Sequence, residues 1–117
     1  MLRILVVLVG VLCGQTGADW RPSDTARQAA YLALHYADWR QTIQIAEHPD
    51  YHELNPVIGS HPSRQRVDNY FAFTALAHTA ISALAPPPWR ERWQYFTIAT
   101  QAGVVAHNYS VGWRVQF

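Results

Sequence analysis

Apolar residues in this chain fall into one unbroken run and three interrupted stretches. The run comes first: Ile4-Leu5-Val6-Val7-Leu8-Val9-Gly10-Val11-Leu12, entered from Arg3 and followed by small and polar residues up to Asp19. A positive start, an apolar centre of about ten residues and a small-residue stretch at Thr16-Gly17-Ala18 have the layout of a secretory signal. An uncleaved membrane anchor is the alternative, although Ile4 to Ala18 is short against the roughly twenty residues that span a bilayer. A buried core helix is the third reading, and so continuous an aliphatic run fits it poorly. Residues 1–18 are therefore expected to be a signal peptide or N-terminal anchor, and residues 19–117 a single helical domain.

Prolines cut the remainder into three helical stretches. The first is predicted over about Ser23 to Glu47, with Ser23 or Asp24 capping its start. His48-Pro49 closes it, because the residue before a proline is pushed out of helical geometry. Segment two is predicted from the Ser63 cap to about Leu84. Pro86-Pro87-Pro88 then forms a stiff corner, and segment three runs from about Trp89 to Ser110. No alternating strand pattern, internal repeat or low-complexity tract interrupts this reading. The expected fold is all-α: a three-helix bundle plus the N-terminal apolar helix, associated with a membrane.

The membrane expectation has its own basis. No Asp, Glu, Lys or Arg occurs from Asn69 to Trp89, or from Trp93 to Trp113. Each window is long enough to span, and Trp89, Trp93 and Trp113 sit where an interfacial aromatic belt would place them, beside Arg90, Arg92 and Arg114. Against spanning stand Gln94, Gln101, His107 and Asn108 in segment three, with Asp38 and Arg40 in segment one, since such groups are costly in lipid without a partner. A soluble periplasmic bundle is the competing expectation.

Composition sharpens this only in places. Charged residues make up 15% of the chain and aromatic residues 13%, against about a quarter charged in an ordinary soluble domain. That balance favours large buried surfaces or lipid contact. All nine basic residues are Arg, scattered along a chain of formal net charge +1, so nothing points to nucleic acid. Cys13 is the sole cysteine, which excludes a disulfide framework and a thiolate metal site. Val11 and Leu12 before it are too bulky for a lipid-attachment signal.

The polar residues follow helical spacing. Tyr31, His35, Asp38 and Thr42 share one face of segment one. Arg66, Tyr70, Thr74, His78 and Ser82 recur every four residues in segment two, and Gln94, Gln101 and Asn108 every seven in segment three. Facing inward, these stripes would build a polar interior from His35, Asp38, Thr42, His78, Gln101 and Asn108. Facing outward, they are solvated surface; between helices, they are hydrogen-bonded contacts. His35 and Asp38 at i, i+3 with His78 form a candidate metal triad that would support a hydrolase or lipid-active enzyme. The spacing is common by chance and lacks the specificity of His-Glu-x-x-His. His48, Asp50, His52, Glu53 and His61 form a second cluster, more simply read as loop polarity. Ser60, Ser63, Ser82 and Ser110 have no nucleophile-elbow or triad context, and no glycine-rich phosphate loop is present. No cofactor is expected. In the loop, Asn55-Pro56 followed by Gly59 favours a tight turn with glycine at positive φ, and Glu53 is placed to pair with Arg64 or Arg66.

Asp38-x-x-Gln41-Thr42, followed by Glu53-x-Asn55-Pro56-x-x-Gly59 and Pro62-Ser63, resembles a pattern in uncharacterised small multi-helical membrane proteins of bacteria and phages. The resemblance spans roughly Tyr31 to Phe73. It implies a helical membrane protein in which Asp38, Thr42, Glu53 and Asn55 are structurally coupled, and it implies no activity or cofactor. Asp38-Trp39-Arg40 is more polar than that pattern.

The expected function is that of a small envelope protein, at the inner membrane or in the periplasm, acting through helix–helix or protein–protein contacts rather than catalysis. Its expected partners are membrane lipid and a protein, including a second copy. The alternatives are the His/Asp metalloenzyme and a soluble periplasmic binding module.

Overall fold

A computed structural model describes residues 3, 19–47, 59 and 62–112. Three helices follow in order: α1 Pro22–Glu47, α2 Arg64–Leu84 and α3 Pro87–Ser110. The described residues contain no strand. The described part of the chain is all-helical, as its pattern of apolar and polar positions predicts. The N-terminal apolar run beyond Arg3 lies outside the described residues, as do Glu53, Asn55, Pro56 and the histidine-rich loop cluster.

Helix boundaries follow local chemistry. α1 begins at Pro22, one residue before the predicted Ser23, since proline has no N–H to lose in the first turn. Asp24 reaches back from inside the helix, where its Oδ2 accepts the Arg21 N–H at 2.8 Å. Ser63 caps α2 as expected, its Oγ accepting the Arg66 N–H at 3.1 Å. α3 starts at Pro87 rather than Trp89, because Pro87 and Pro88 fit the first helical turn and Pro86 serves as the extended cap. The proline corner is thus partly the first turn of the last helix. Gly59 has φ +94°, the left-handed conformation expected of the turn glycine.

α1 is the central helix, packed along both neighbours, whereas α2 and α3 touch each other far less. Apolar packing joins mainly α1 to α2. One cluster contains Tyr31, Leu32 and Ala75, flanked by Trp20 and Ile98. The other contains Trp39, Ile43, Val67 and Phe71, flanked by Tyr36, Ala46 and Tyr70. Each large side chain buried there contributes about 1.5–3 kcal/mol.

α3 is attached differently. Its buried residues are Arg90, Gln94 and Gln101, while Trp89, Tyr95, Phe96, Val104 and Tyr109 point outward. On α2, Phe73, Leu76, Ile81 and Leu84 are likewise exposed, Leu84 at 85% and Phe73 at 71%. Polarity is inverted along much of the bundle: amides, imidazoles and a guanidinium lie inside, and large apolar groups lie outside. Among the described residues, no helix is long and apolar enough to cross a membrane. The two charge-free windows therefore do not amount to spans, because their His, Gln, Thr and Ser residues lower the hydropathy that absence of charge alone suggests.

Candidate functional site

The inner face of α1 carries Asp24, Gln28, Tyr31, His35, Asp38 and Thr42, alternating four and three residues apart. That is the spacing of a helix–helix seam, here filled mostly with polar groups. Two hydrogen-bonded relays are built on it, one at each end.

The first relay starts from a guanidinium, a group that only donates. Arg27 Nε donates to Gln94 Oε1 at 2.9 Å and pairs through Nη2 with Asp24. With its oxygen so engaged, Gln94 turns its amide nitrogen to Gln28 Oε1 and to the Asp24 carbonyl, both at 3.2 Å. Ser82 Oγ donates to the same Gln28 oxygen at 2.8 Å. Gln28 must then present its own NH2, which donates to His78 Nδ1 at 2.9 Å and to Thr79 Oγ1 at 3.2 Å. All four hydrogen-bonding positions of this buried carboxamide are filled. His78 is left with its proton on Nε2, donating to Thr97 Oγ1 at 2.7 Å, while the Thr97 hydroxyl donates to the Trp93 carbonyl at 2.9 Å.

Rings enclose His78 on both sides. Tyr31 stacks on it with centroids 3.5 Å apart, and Trp93 lies at 5.0 Å. Burial, with a smaller contribution from His35, holds the imidazole far below its ordinary pKa of 6.5, at about 3. Burial, Tyr70 and Asp38 together push the Tyr31 phenol well above its ordinary range.

Arg90 closes this end and is fully buried. It donates to the carbonyls of Ser82, Ala83 and Ala85, at 2.6, 3.4 and 2.9 Å, satisfying the last turn of α2, which has no intrahelical partners of its own. Its Nη1 donates to the Asp19 carbonyl at 3.1 Å and to Asp24 Oδ2 at 3.2 Å, and its guanidinium lies 4.7 Å from the Trp20 ring centre.

The second relay starts from a carboxylate, a group that only accepts. Asp38 receives Gln101 Nε2 at 2.8 Å, Asn108 Nδ2 at 3.1 Å and Thr42 Oγ1 at 3.2 Å. Gln101 therefore turns its oxygen to His35, whose Nδ1–H donates to it at 2.9 Å. His35 Nε2 lies 2.8 Å from Thr74 Oγ1 and 3.1 Å from the Phe71 carbonyl. Asn108 also donates to Gln41 Oε1 at 3.2 Å, and Gln41 donates to the Val105 carbonyl at 3.3 Å.

Of the residues singled out in the sequence, His35, Asp38, Thr42, His78, Gln101 and Asn108 all lie along this interior. Arg66, at the head of the α2 stripe, is exposed, and so is His107. The proposed metal triad does not converge. His35 and Asp38 are bridged by Gln101, His78 stands across Tyr31, and both nitrogens of each imidazole are occupied. Among the described residues, no group of three His, Cys, Asp or Glu side chains is placed to hold a metal ion. Arg64 pairs with Glu47 at 3.2 Å and Asp68 at 3.3 Å. The interior roles of Gln28, Gln41, Arg90 and Asp24 do not show in the sequence pattern as read above. Extending the Tyr31–His35–Asp38–Thr42 stripe two steps toward the N-terminus would have reached Gln28 and Asp24.

Compared with protein-family models, curated proteins and solved structures, the chain matches none. The resemblance noted for the Asp38 to Gly59 pattern rests on those residues alone.

Proposed function

We propose that this is a small membrane-proximal protein of the bacterial cell envelope, whose outer α2 and α3 faces rest against lipid and which acts by contact rather than catalysis. The observation that carries the reading is α3: its polar side is turned into the bundle and its apolar side outward. A helix packed in water gains by the opposite arrangement, because each large apolar side chain removed from water is worth about 1.5–3 kcal/mol. An internal hydrogen bond returns only about 0.5–1.5 kcal/mol net. The energetic balance favours this fold where the surroundings of Phe73, Leu76, Phe96 and Val104 are themselves apolar.

One end of the bundle, where α1 and α3 begin, supports the same reading. Arg92 lies 5.0 Å from the Trp89 ring centre and Arg27 lies 5.3 Å from that of Tyr95, a pairing of amphipathic rings and long cations suited to a headgroup layer. The N-terminal apolar run, as signal or anchor, would deliver the chain to that layer.

Flotation of the full chain with vesicles of phosphatidylethanolamine and phosphatidylglycerol tests this. The wild type is expected to float with the vesicles. A Phe73→Glu, Phe96→Glu double variant, altered only at exposed positions, is expected to keep its helical circular dichroism and float at least tenfold less. A wild type that stays monodisperse in detergent-free buffer and never floats would overturn the proposal.

A further inference from the structure

Carboxylates are scarce on this fold, and almost all of them are engaged. Among the described residues, Asp19, Asp24, Glu47 and Asp68 pair with arginines, and Asp38 collects three side-chain donors. Glu91 is the exception. It is exposed in the second turn of α3 and makes neither an ion pair nor a hydrogen bond with any described residue. Arg92, next to it, likewise has no ion pair or hydrogen bond there and only leans on the Trp89 ring, 5.0 Å from its centre. Successive residues point about 100° apart around a helix, so the two charges diverge instead of neutralising each other.

A surface cleft of about 520 Å³ lies at this turn, lined among the described residues by Pro88, Glu91, Arg92 and Tyr95. It is bordered by one free carboxylate and one free guanidinium, close to the positive end of α3, whose first turn carries no acidic residue. If the outer faces rest on lipid, a premise this inference takes from the reading above, the cleft meets the headgroup layer. A lone carboxylate in that layer is repelled by lipid phosphates and by an anionic surface. A cation on the lipid itself removes the conflict.

We propose that the cleft seats the headgroup of phosphatidylethanolamine: Arg92 donates to its phosphate, and Glu91 accepts N–H bonds from its primary ammonium. A planar guanidinium suits phosphate oxygens, and an ammonium has three protons to offer a carboxylate. Other headgroups satisfy only half of the cleft. Phosphatidylglycerol brings a phosphate without a cation. Choline has no N–H to donate and is recognised by aromatic faces, whereas Tyr95 and Trp89 already carry Arg27 and Arg92. Free phosphoethanolamine esters share the recognised groups, but the exposed Trp89 and Phe96 flanking Arg92 favour a ligand that brings acyl chains.

Flotation of the full chain with two sets of vesicles tests this, phosphatidylglycerol being mixed with phosphatidylethanolamine in one and with phosphatidylcholine, in equal proportion, in the other. The wild type is expected to bind the ethanolamine set about threefold more tightly, the worth of one partly exposed ion pair. Glu91→Gln, a change of charge at an exposed position, is expected to bind both sets equally. Arg92→Gln is expected to weaken binding to both. Soluble glycerophosphoethanolamine is expected to displace nothing. Equal wild-type binding to the two sets, a preference that survives in Glu91→Gln, or unchanged binding by Arg92→Gln would overturn the headgroup site and leave lipid contact standing. Displacement by glycerophosphoethanolamine would overturn the lipid as its source. A wild type that binds neither set would overturn lipid contact itself, and this site with it.

Discussion

Acidification should weaken this fold through one side chain, His78, by an amount the structure lets us estimate. The ring is enclosed by Tyr31 and Trp93, and its Nδ1 is occupied by a Gln28 amide that cannot turn. In the folded state its pKa falls from 6.5 to about 3. Between those values the unfolded chain binds a proton that the native chain does not. Stability therefore rises with pH across the window and is lost as pH falls from about 6.5 toward 3. Integrating the difference gives a loss of about 2 kcal/mol between pH 7 and pH 5 from this residue. To isolate it, urea unfolding of the wild type and of His78→Gln should be compared across that range, since the other titrating groups are common to both. The variant is expected to be less stable at neutral pH, and the gap should close by about 2 kcal/mol by pH 5. Parallel stability curves for the two proteins would refute the reasoning, for they would mean that His78 takes up its proton as readily in the folded state as in the unfolded one.

Other perturbations follow from the same network. Arg90→Met should destabilise the fold by about 1–3 kcal/mol in urea or thermal unfolding, because the Ser82, Ala83 and Ala85 carbonyls lose their donor while Asp24 keeps Arg27. Arg90→Lys should recover little of it, since an ammonium cannot reach the carbonyls of Ser82, Ala83 and Ala85 and Asp24 together. Asp38→Leu leaves the donors of Gln101, Asn108 and Thr42 without their acceptor and should cost about 1–3 kcal/mol; a neutral result would mean that this carboxylate is merely solvated. Gln28→Leu, which strips four partners at once, should cost at least as much as Asp38→Leu in the same unfolding measurements.

The fold was legible because prolines and caps are local signals. Ser63 announces α2, and His48-Pro49 marks the limit reached by α1. α3 begins at Pro87 rather than Trp89 because proline is not only a breaker and also suits a first turn. The interior stripe was legible from spacing at His35, Asp38, His78 and Gln101, because polar residues three and four apart must share a face whichever way that face points. Direction was not legible. A sequence read alone cannot show whether Gln94 and Gln101 meet solvent or Gln28 and His35, since partners 66 residues apart are joined only by folding. Arg90 illustrates the limit most clearly. Beside Trp89 it reads as an interfacial cation, yet it is the side chain that bolts the end of α2 to the start of α1. The charge-free windows have a related explanation: absence of charge is not greasiness where amides and imidazoles stand in place of the charges.

Fastening α3 through amides has a mechanical consequence. Oily seams tolerate sliding, because one methyl group substitutes for another when a helix slips by a turn of about 5.4 Å. Gln94, Gln101 and Asn108 mate with Gln28, His35 and Asp38 at only one axial setting, so a slipped α3 would face donors with donors and acceptors with acceptors. The last helix is keyed like a tooth in a lock: rigid against translation along its neighbour, and free to part from it only by lifting away whole.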